Sequence, residues 1–401
     1  MTPTRATLIL PAMVLVLSGC GAASTLTLRA TTGGAADANT TPHLPGPAVT
    51  PAPTPPVTPA PIPPVTPATA TTVATVPGTG GSEWLEILNG SGVLIAKTAI
   101  NPTQFWMTAA GPGGAYWAEG GVEHVLTATG AVLALGPIPA DANGVVIGPD
   151  GASFAYATSD QLSNGTTLNR ISVVRPGAAA AVVADRVSDP NHPTADAPDS
   201  WDYYLVSWTA DGIAFARVPT GGCGCGSFDM QMQSANSGII NPTTEVVTAL
   251  TGDDFCPLSN VGPAAETVCF ATSATSEATK AIRIGSRGVV THTYNLSGAS
   301  VAGDAVFAPS GTALAYITIP VSQDNCGATI TPTLRILTVT TGSASDRNVG
   351  DFAPAVWGSN GLLYGLMTSG STSWVAAVNP VTFAVSRVTP GVPGTAFIGI
   401  V

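Results

Sequence analysis

Val145-Val-Ile-Gly-Pro-Asp-Gly-Ala-Ser-Phe-Ala-Tyr156 reads as two β-strands folded about a tight turn. A β-branched run enters the turn and a small-and-aromatic run leaves it. Pro149 pre-sets φ for the bend, Asp150 can bond its own backbone, and Gly151 takes a positive φ without a steric penalty. The unit returns three times. Leu205-Val-Ser-Trp-Thr-Ala-Asp-Gly-Ile-Ala-Phe-Ala216 turns at Asp211 and Gly212. Ala305-Val-Phe-Ala-Pro-Ser-Gly-Thr-Ala-Leu-Ala-Tyr316 turns through Pro309 and Gly311, and Ala355-Val-Trp-Gly-Ser-Asn-Gly-Leu-Leu-Tyr364 turns at Asn360 and Gly361.

The spacing is that of a repeat. Gly311 to Gly361 is 50 residues and Gly212 to Gly311 is 99, so a degenerate copy is predicted between them. Residues 258–271 fit it, and residues 107–117 form a further weak copy. A second hairpin follows each pair: 124–135, 171–183, 230–247, 281–294, 334–347 and 374–387. Trp84–Ala96 is a seventh such hairpin with no first pair before it, and Thr395–Val401 is a lone apolar strand at the other end. Four-stranded units of about 40–50 residues set radially are the blades of a β-propeller. The predicted fold is therefore all-β, a propeller of seven blades, its ring closed by joining the N- and C-terminal strands. Six or eight blades are the alternative counts, since the weak copies decide the number.

The turn signature resembles the TolB-type, WD-repeat-like bacterial propeller repeat, which places Pro-Asp-Gly between strands and ends the second strand in Ala-Tyr or Ala-Phe. Pro149-Asp150-Gly151 with Ala155-Tyr156 matches fully; Pro309-Ser310-Gly311 with Ala315-Tyr316 matches with one change. The resemblance covers most of residues 100–390 and implies a fold. An activity does not travel with it.

The first 19 residues read as an export signal. One positive charge at Arg5 precedes an apolar run of 11 residues, Thr7–Leu17, too short to span the roughly 30 Å hydrocarbon core of a bilayer. Leu17-Ser18-Gly19-Cys20 resembles the bacterial lipoprotein lipobox. That resemblance implies cleavage before Cys20, acylation of its thiol, and tethering outside the cytoplasm to the cell membrane or outer membrane.

Residues 20–81 read as a linker. From Pro45 to Pro67, 11 of 23 residues are proline, in an eight-residue repeat beginning Val49-Thr-Pro-Ala-Pro. Proline removes the N–H donor, so polyproline II is the regular structure left, giving a spacer of roughly 70 Å at about 3.1 Å per residue. Residues 82–401 are then the propeller domain.

Charge narrows the function. Only 9% of residues are charged, with 13 Lys+Arg against 24 Asp+Glu and a net charge of −11. Such a chain lacks the basic surface that neutralises phosphates, which excludes nucleic acid as an expected partner. His43, His124, His192 and His292 are scattered without metal-ligand spacing, and no Gly-x-Ser-x-Gly elbow is present. No catalytic residue and no cofactor is predicted. One acidic stretch, Asp189, Asp196, Asp199 and Asp202, has the oxygen chemistry of a Ca²⁺ loop, against the plainer reading of a solvated acidic loop. Beyond Cys20 there are five cysteines: Cys223, Cys225, Cys256, Cys269 and Cys326. Disulfides are permitted in an exported chain; Cys256–Cys269 is the simplest local bridge, and Cys326 with Cys223 or Cys225 the longer one.

The expectation is a monomeric, lipid-anchored binding or scaffold module of the cell envelope, with a protein or glycan partner. The alternative is a propeller hydrolase or lyase acting on envelope polysaccharide.

Overall fold

The computed structural model describes residues 71–78, 83–101, 105–163, 165–188, 201–219, 235–250, 258–262, 266–273, 276–286, 288–323 and 330–400. They form seven antiparallel four-stranded sheets set around one axis. Blade 1 joins β1 (Thr72–Pro77), β2 (Glu83–Leu88) and β3 (Leu94–Ile100) to the last strand, β28 (Ala396–Ile400). Blade 2 is β4 (Phe105–Gly111), β5 (Gly114–Glu119), β6 (Val122–Leu126) and β7 (Val132–Pro137). Blade 3 is β8 (Gly144–Ile147), β9 (Phe154–Gln161), β10 (Thr167–Val174) and β11 (Ala181–Ser188). Blade 4 is β12 (Trp201–Thr209), β13 (Gly212–Pro219), β14 (Ala235–Ile240) and β15 (Val247–Ala249). Blade 5 is β16 (Leu258–Val261), β17 (Glu266–Ser273), β18 (Ser276–Ser286) and β19 (Val289–Asn295). Blade 6 is β20 (Ser300–Phe307), β21 (Ala313–Pro320), β22 (Thr333–Thr338) and β23 (Ala344–Arg347). Blade 7 is β24 (Asp351–Trp357), β25 (Leu363–Ser369), β26 (Thr372–Val378) and β27 (Val385–Arg387).

The count of seven and the closure through both termini are as the repeat foretold, and both weak copies are blades. The linker boundary needs correction. Thr72–Pro77 falls inside the stretch 20–81 read as spacer, yet it is a propeller strand held between β2 and β28. Its Thr/Val/Ala alternation is β-compatible, but beside the proline tract it looked like more of the same low-complexity sequence.

The core is divided into wedges between neighbouring blades, and the sequence shows why. Second strands alternate aromatic or branched residues with alanine. In β9, Phe154 and Tyr156 pack toward blade 2 while Ala155 and Ala157 face blade 4. In β13, Phe215 packs toward blade 3 and Ala214 toward blade 5. In β21, Tyr316 packs toward blade 5 and Ala315 toward blade 7. A strand buried on both faces must be apolar at every position, and a radial ring leaves one thick and one thin gap for each strand to fill. Burying a residue such as Phe154 or Ile171, both 0% exposed, contributes roughly 1.5–3 kcal/mol.

The first turns repeat atom for atom. Gly151 N–H donates to Gly148 O, Gly311 N–H to Ala308 O and Gly361 N–H to Gly358 O, each at 2.9 Å. All three donors are left-handed glycines, with φ of 67°, 68° and 77°. Asp150 accepts from the N–H groups of Ala152 and Ser153 and from the Ser153 hydroxyl, and these bonds hold its carboxyl below the usual range. Asn360 bonds Leu362 N–H and the Tyr364 hydroxyl in the same place. Gly212 serves differently: a Cβ there would lie 2.3 Å from Ile240 O, at a φ of +136°. We expect Gly212→Ala to cost roughly 2–3 kcal/mol in denaturant unfolding; a variant within error of wild type would contradict the close approach.

Candidate functional site

The first strand of each sheet packs against the first strands of the adjacent blades, so β28, β4, β8, β12, β16, β20 and β24 ring the axis with one edge unpaired. Six of the seven deviate from regular pairing at one place. The register slips at Phe105/Met107, Leu205/Ser207, Leu258/Asn260, Gly303/Val306 and Pro354/Val356, and in β28 between its partners for Val73 and Ala74. A bulge sets extra residue against one partner and re-aims a side chain. Repeated around the ring, it turns a row of packing strands into a lining.

The lining has chemistry on one side. Tyr204 in β12 is 51% exposed, yet loss of solvation pushes its phenol above the usual range, with the Asp304 carboxylate adding to the shift. Exposure together with desolvation is the signature of a side chain in a narrow, walled space. Asp304 belongs to blade 6 and Tyr204 to blade 4, with only blade 5 between, so the carboxylate's charge reaches the phenol along one side of the ring. Asp304 sits within the β20 bulge at φ +51°, one of three non-glycine positive-φ residues among those described. Aspartate tolerates that conformation better than most residues. The bulge is braced from both flanks. Asn260 Nδ2 donates to Ala305 O at 2.6 Å, and Trp357 Nε1 donates to Val306 O at 2.9 Å. On the neighbouring strand β24, Ala353 and Ala355 are exposed beside Asp351, whose carboxyl burial raises above the usual range.

The two faces of the disc differ in kind. Connections from first to second and from third to fourth strands never exceed six residues. On the other face, 12 residues join β11 to β12, 15 join β13 to β14, and 12 join β21 to β22. Only the second face has chain to spare for recognition.

Of the residues singled out in the sequence, Asp189, Asp196, Asp199, Cys20, Cys223, Cys225, Cys256 and Cys326 lie outside the described residues. Asp202 requires correction as a loop ligand. It stands near the start of strand β12, where its carboxylate accepts a 2.5 Å hydrogen bond from the Ser159 hydroxyl, and burial raises it above the usual carboxylate range. Ser159 also bonds Asn169, which bonds Trp201 O, so Asp202 belongs to a polar seam between blades 3 and 4. Among the described residues no group of three or more His, Cys, Asp or Glu gathers to hold a metal ion. Cys269 is buried in β17 opposite Leu258 and is disulfide-bonded, its partner outside the described residues. Tyr204 and Asp304 were missed. The available clue was position: each directly precedes its repeat unit, Tyr204 before Leu205–Ala216 and Asp304 before Ala305–Tyr316.

No family model matches the chain, and no curated protein does. Solved structures are similar in fold. The acylaminoacyl peptidase of Pyrococcus horikoshii aligns at TM-score 0.50 and 10% identity over 79% of this chain and 50% of that one. An oligogalacturonate lyase from Vibrio parahaemolyticus aligns at 0.48 and 10% over 80% and 85%. TolB from Acinetobacter baumannii aligns at 0.42 and 9% over 82% of each. At such identities the likeness is one of architecture alone.

Proposed function

We propose that the chain is a lipid-anchored, extracytoplasmic binding module that engages an envelope protein or glycan on its long-connection face, over the mouth of the channel. The asymmetry of the faces carries the reading: loops on a rigid frame are where propellers and other scaffolds place recognition. The lipobox-like Leu17–Cys20 and the proline tract support the anchoring, and no helix among the described residues is long and apolar enough to cross a membrane. The acidic balance favours cationic or polar partners over anions. Cys256 precedes Leu258 by two residues, and Leu258 pairs with Cys269, so Cys256–Cys269 is the bridge we assign within blade 5. A bridge from Cys326 to Cys223 or Cys225 would tie the long connections of blades 4 and 6.

Two measurements test this. Cys20→Ala is expected to move the protein from the membrane to the soluble fraction and to abolish incorporation of a palmitate analogue; unchanged fractionation removes the anchor. Photo-crosslinking residues at Leu162 and Ser322, at connections of the long-connection face, are expected to trap one envelope component in cells. The same residues at Thr129 and Val381, in turns of the opposite face, are expected to trap none. Crosslinks from the turn face alone would reverse the assignment.

Asp304 and Tyr204 also support the second reading, cleavage of an envelope polysaccharide within the channel. Asp304→Asn separates the two, since a binding face above the channel keeps its crosslink while an acid–base function is lost.

A further inference from the structure

On the flank of the disc, away from the axis, blades 5 and 6 leave a cavity of about 230 Å³. We propose that it binds one neutral hexopyranose unit, such as the terminal residue of a glycan. Drug-sized ligands occupy about 300–1,000 Å³, so this space admits a single ring.

The aromatic wall is fixed in advance. The Tyr294 hydroxyl donates to Val339 O across the blade interface, and His292 stacks on the ring at 6.0 Å and 5°. Gly342 closes the turn beneath it. A Cβ there would come within 2.9 Å of two ring carbons, at a φ of +68°. A ring that does not move loses no entropy on binding, and its negative face suits the C–H groups of a pyranose.

Hydrogen-bonding capacity around that wall is unspent. Tyr316, 1% exposed, lines the cavity with no hydrogen-bond partner for its hydroxyl among the described residues. Asn295 and Ser300 at the mouth are likewise unpartnered. Thr279 accepts from Ala302 N–H and keeps its own O–H to give. Tyr316, Thr279, Ser300 and Asn295 thus bring hydrogen-bonding groups to one small space, which suits a ligand carrying several hydroxyls.

Charge decides between sugar classes. Arg335 donates from Nε to the Thr318 hydroxyl at 3.1 Å, and its guanidinium stands 3.5 Å from the Asp346 carboxylate. Arg335 lines the cavity, and the carboxylate that matches its charge stands just outside the lining on β23. The pair offers N–H donors beside a carboxylate acceptor, which fits sugar hydroxyls and gives a uronate no net attraction.

The site shares no residue with the axial face, so either reading can fail alone. The experiment is ligand-observed saturation-transfer NMR on the folded chain with glucose, galactose, mannose, N-acetylglucosamine and glucuronate. We expect at least one neutral sugar to bind with saturation on its ring C–H protons. Tyr316→Phe, which keeps the volume and the fold, is expected to weaken it about tenfold, the loss of one hydrogen bond. Val381→Thr, in an exposed turn of blade 7, is expected to leave it unchanged. Silence from every neutral sugar overturns the proposal, as does tightest binding of glucuronate or binding indifferent to Tyr316→Phe.

Discussion

Raising the pH from 5 to 8 is expected to cost the wild-type fold about 3.5 kcal/mol that the Glu123→Gln variant does not lose. Glu123 lies on β6 opposite Ala118, facing blade 3, and is 1% exposed. Its Oε2 atom has no hydrogen-bond partner. Burial pushes the carboxyl from 4.5 up to about 8. Because the folded pKa is the higher one, the native state holds its proton while the unfolded chain gives it up. Stability from this group is full below about pH 4.5 and is lost as pH rises through about 8, at 1.36 kcal/mol per unit. Urea unfolding of both proteins at pH 5 and pH 8 measures the double difference, which cancels every other titrating group. Equal slopes for the two would mean that Glu123 finds a partner in solution.

A chain begun at residue 82 is expected not to fold, whereas one begun at residue 68 folds with wild-type cooperativity. Starting at 82 removes β1, whose Thr72, Val73 and Ala74 are all 0% exposed. It also parts β28 from β2, because β1 pairs with both. Two strand interfaces and the lining of the wedges on either side, Val73 toward blade 2 and Ala74 toward blade 7, go together. An open ring also exposes strand edges that template association, so the short chain is expected in aggregates. Circular dichroism and thermal unfolding of the two chains decide the matter. A cooperative transition for 82–401 would show that three strands suffice to close blade 1.

Blade periodicity was legible because it is local. Pro149-Asp150-Gly151 and its relatives bend the chain through φ values that few residues accept, and alternation of alanine with aromatics follows from burial on both faces. Degenerate copies survived as blades because the ring supplies what their turns lack: β16 keeps only four residues of its strand, yet it is held by Asn260 bonding into blade 6. Asp202 was misplaced because its acidic neighbours suggested a loop, whereas its strand is decided by pairing with Val218 in β13.

Sequence alone determined the repeat and the turn chemistry, since each depends on residues within about fifty positions of one another, and from them came the expectation of seven blades that the sheets bear out. Tertiary structure decided which polar residues meet. Tyr204 and Asp304 are a hundred residues apart, and no local pattern marks them as facing one channel. Glu123 reads as a surface carboxylate on an edge-like strand until blade 3 covers it. Tyr294, Tyr316 and Arg335 become one wall only when blades 5 and 6 pack. Curvature of the whole ring sets these distances, and it is a sum over every blade.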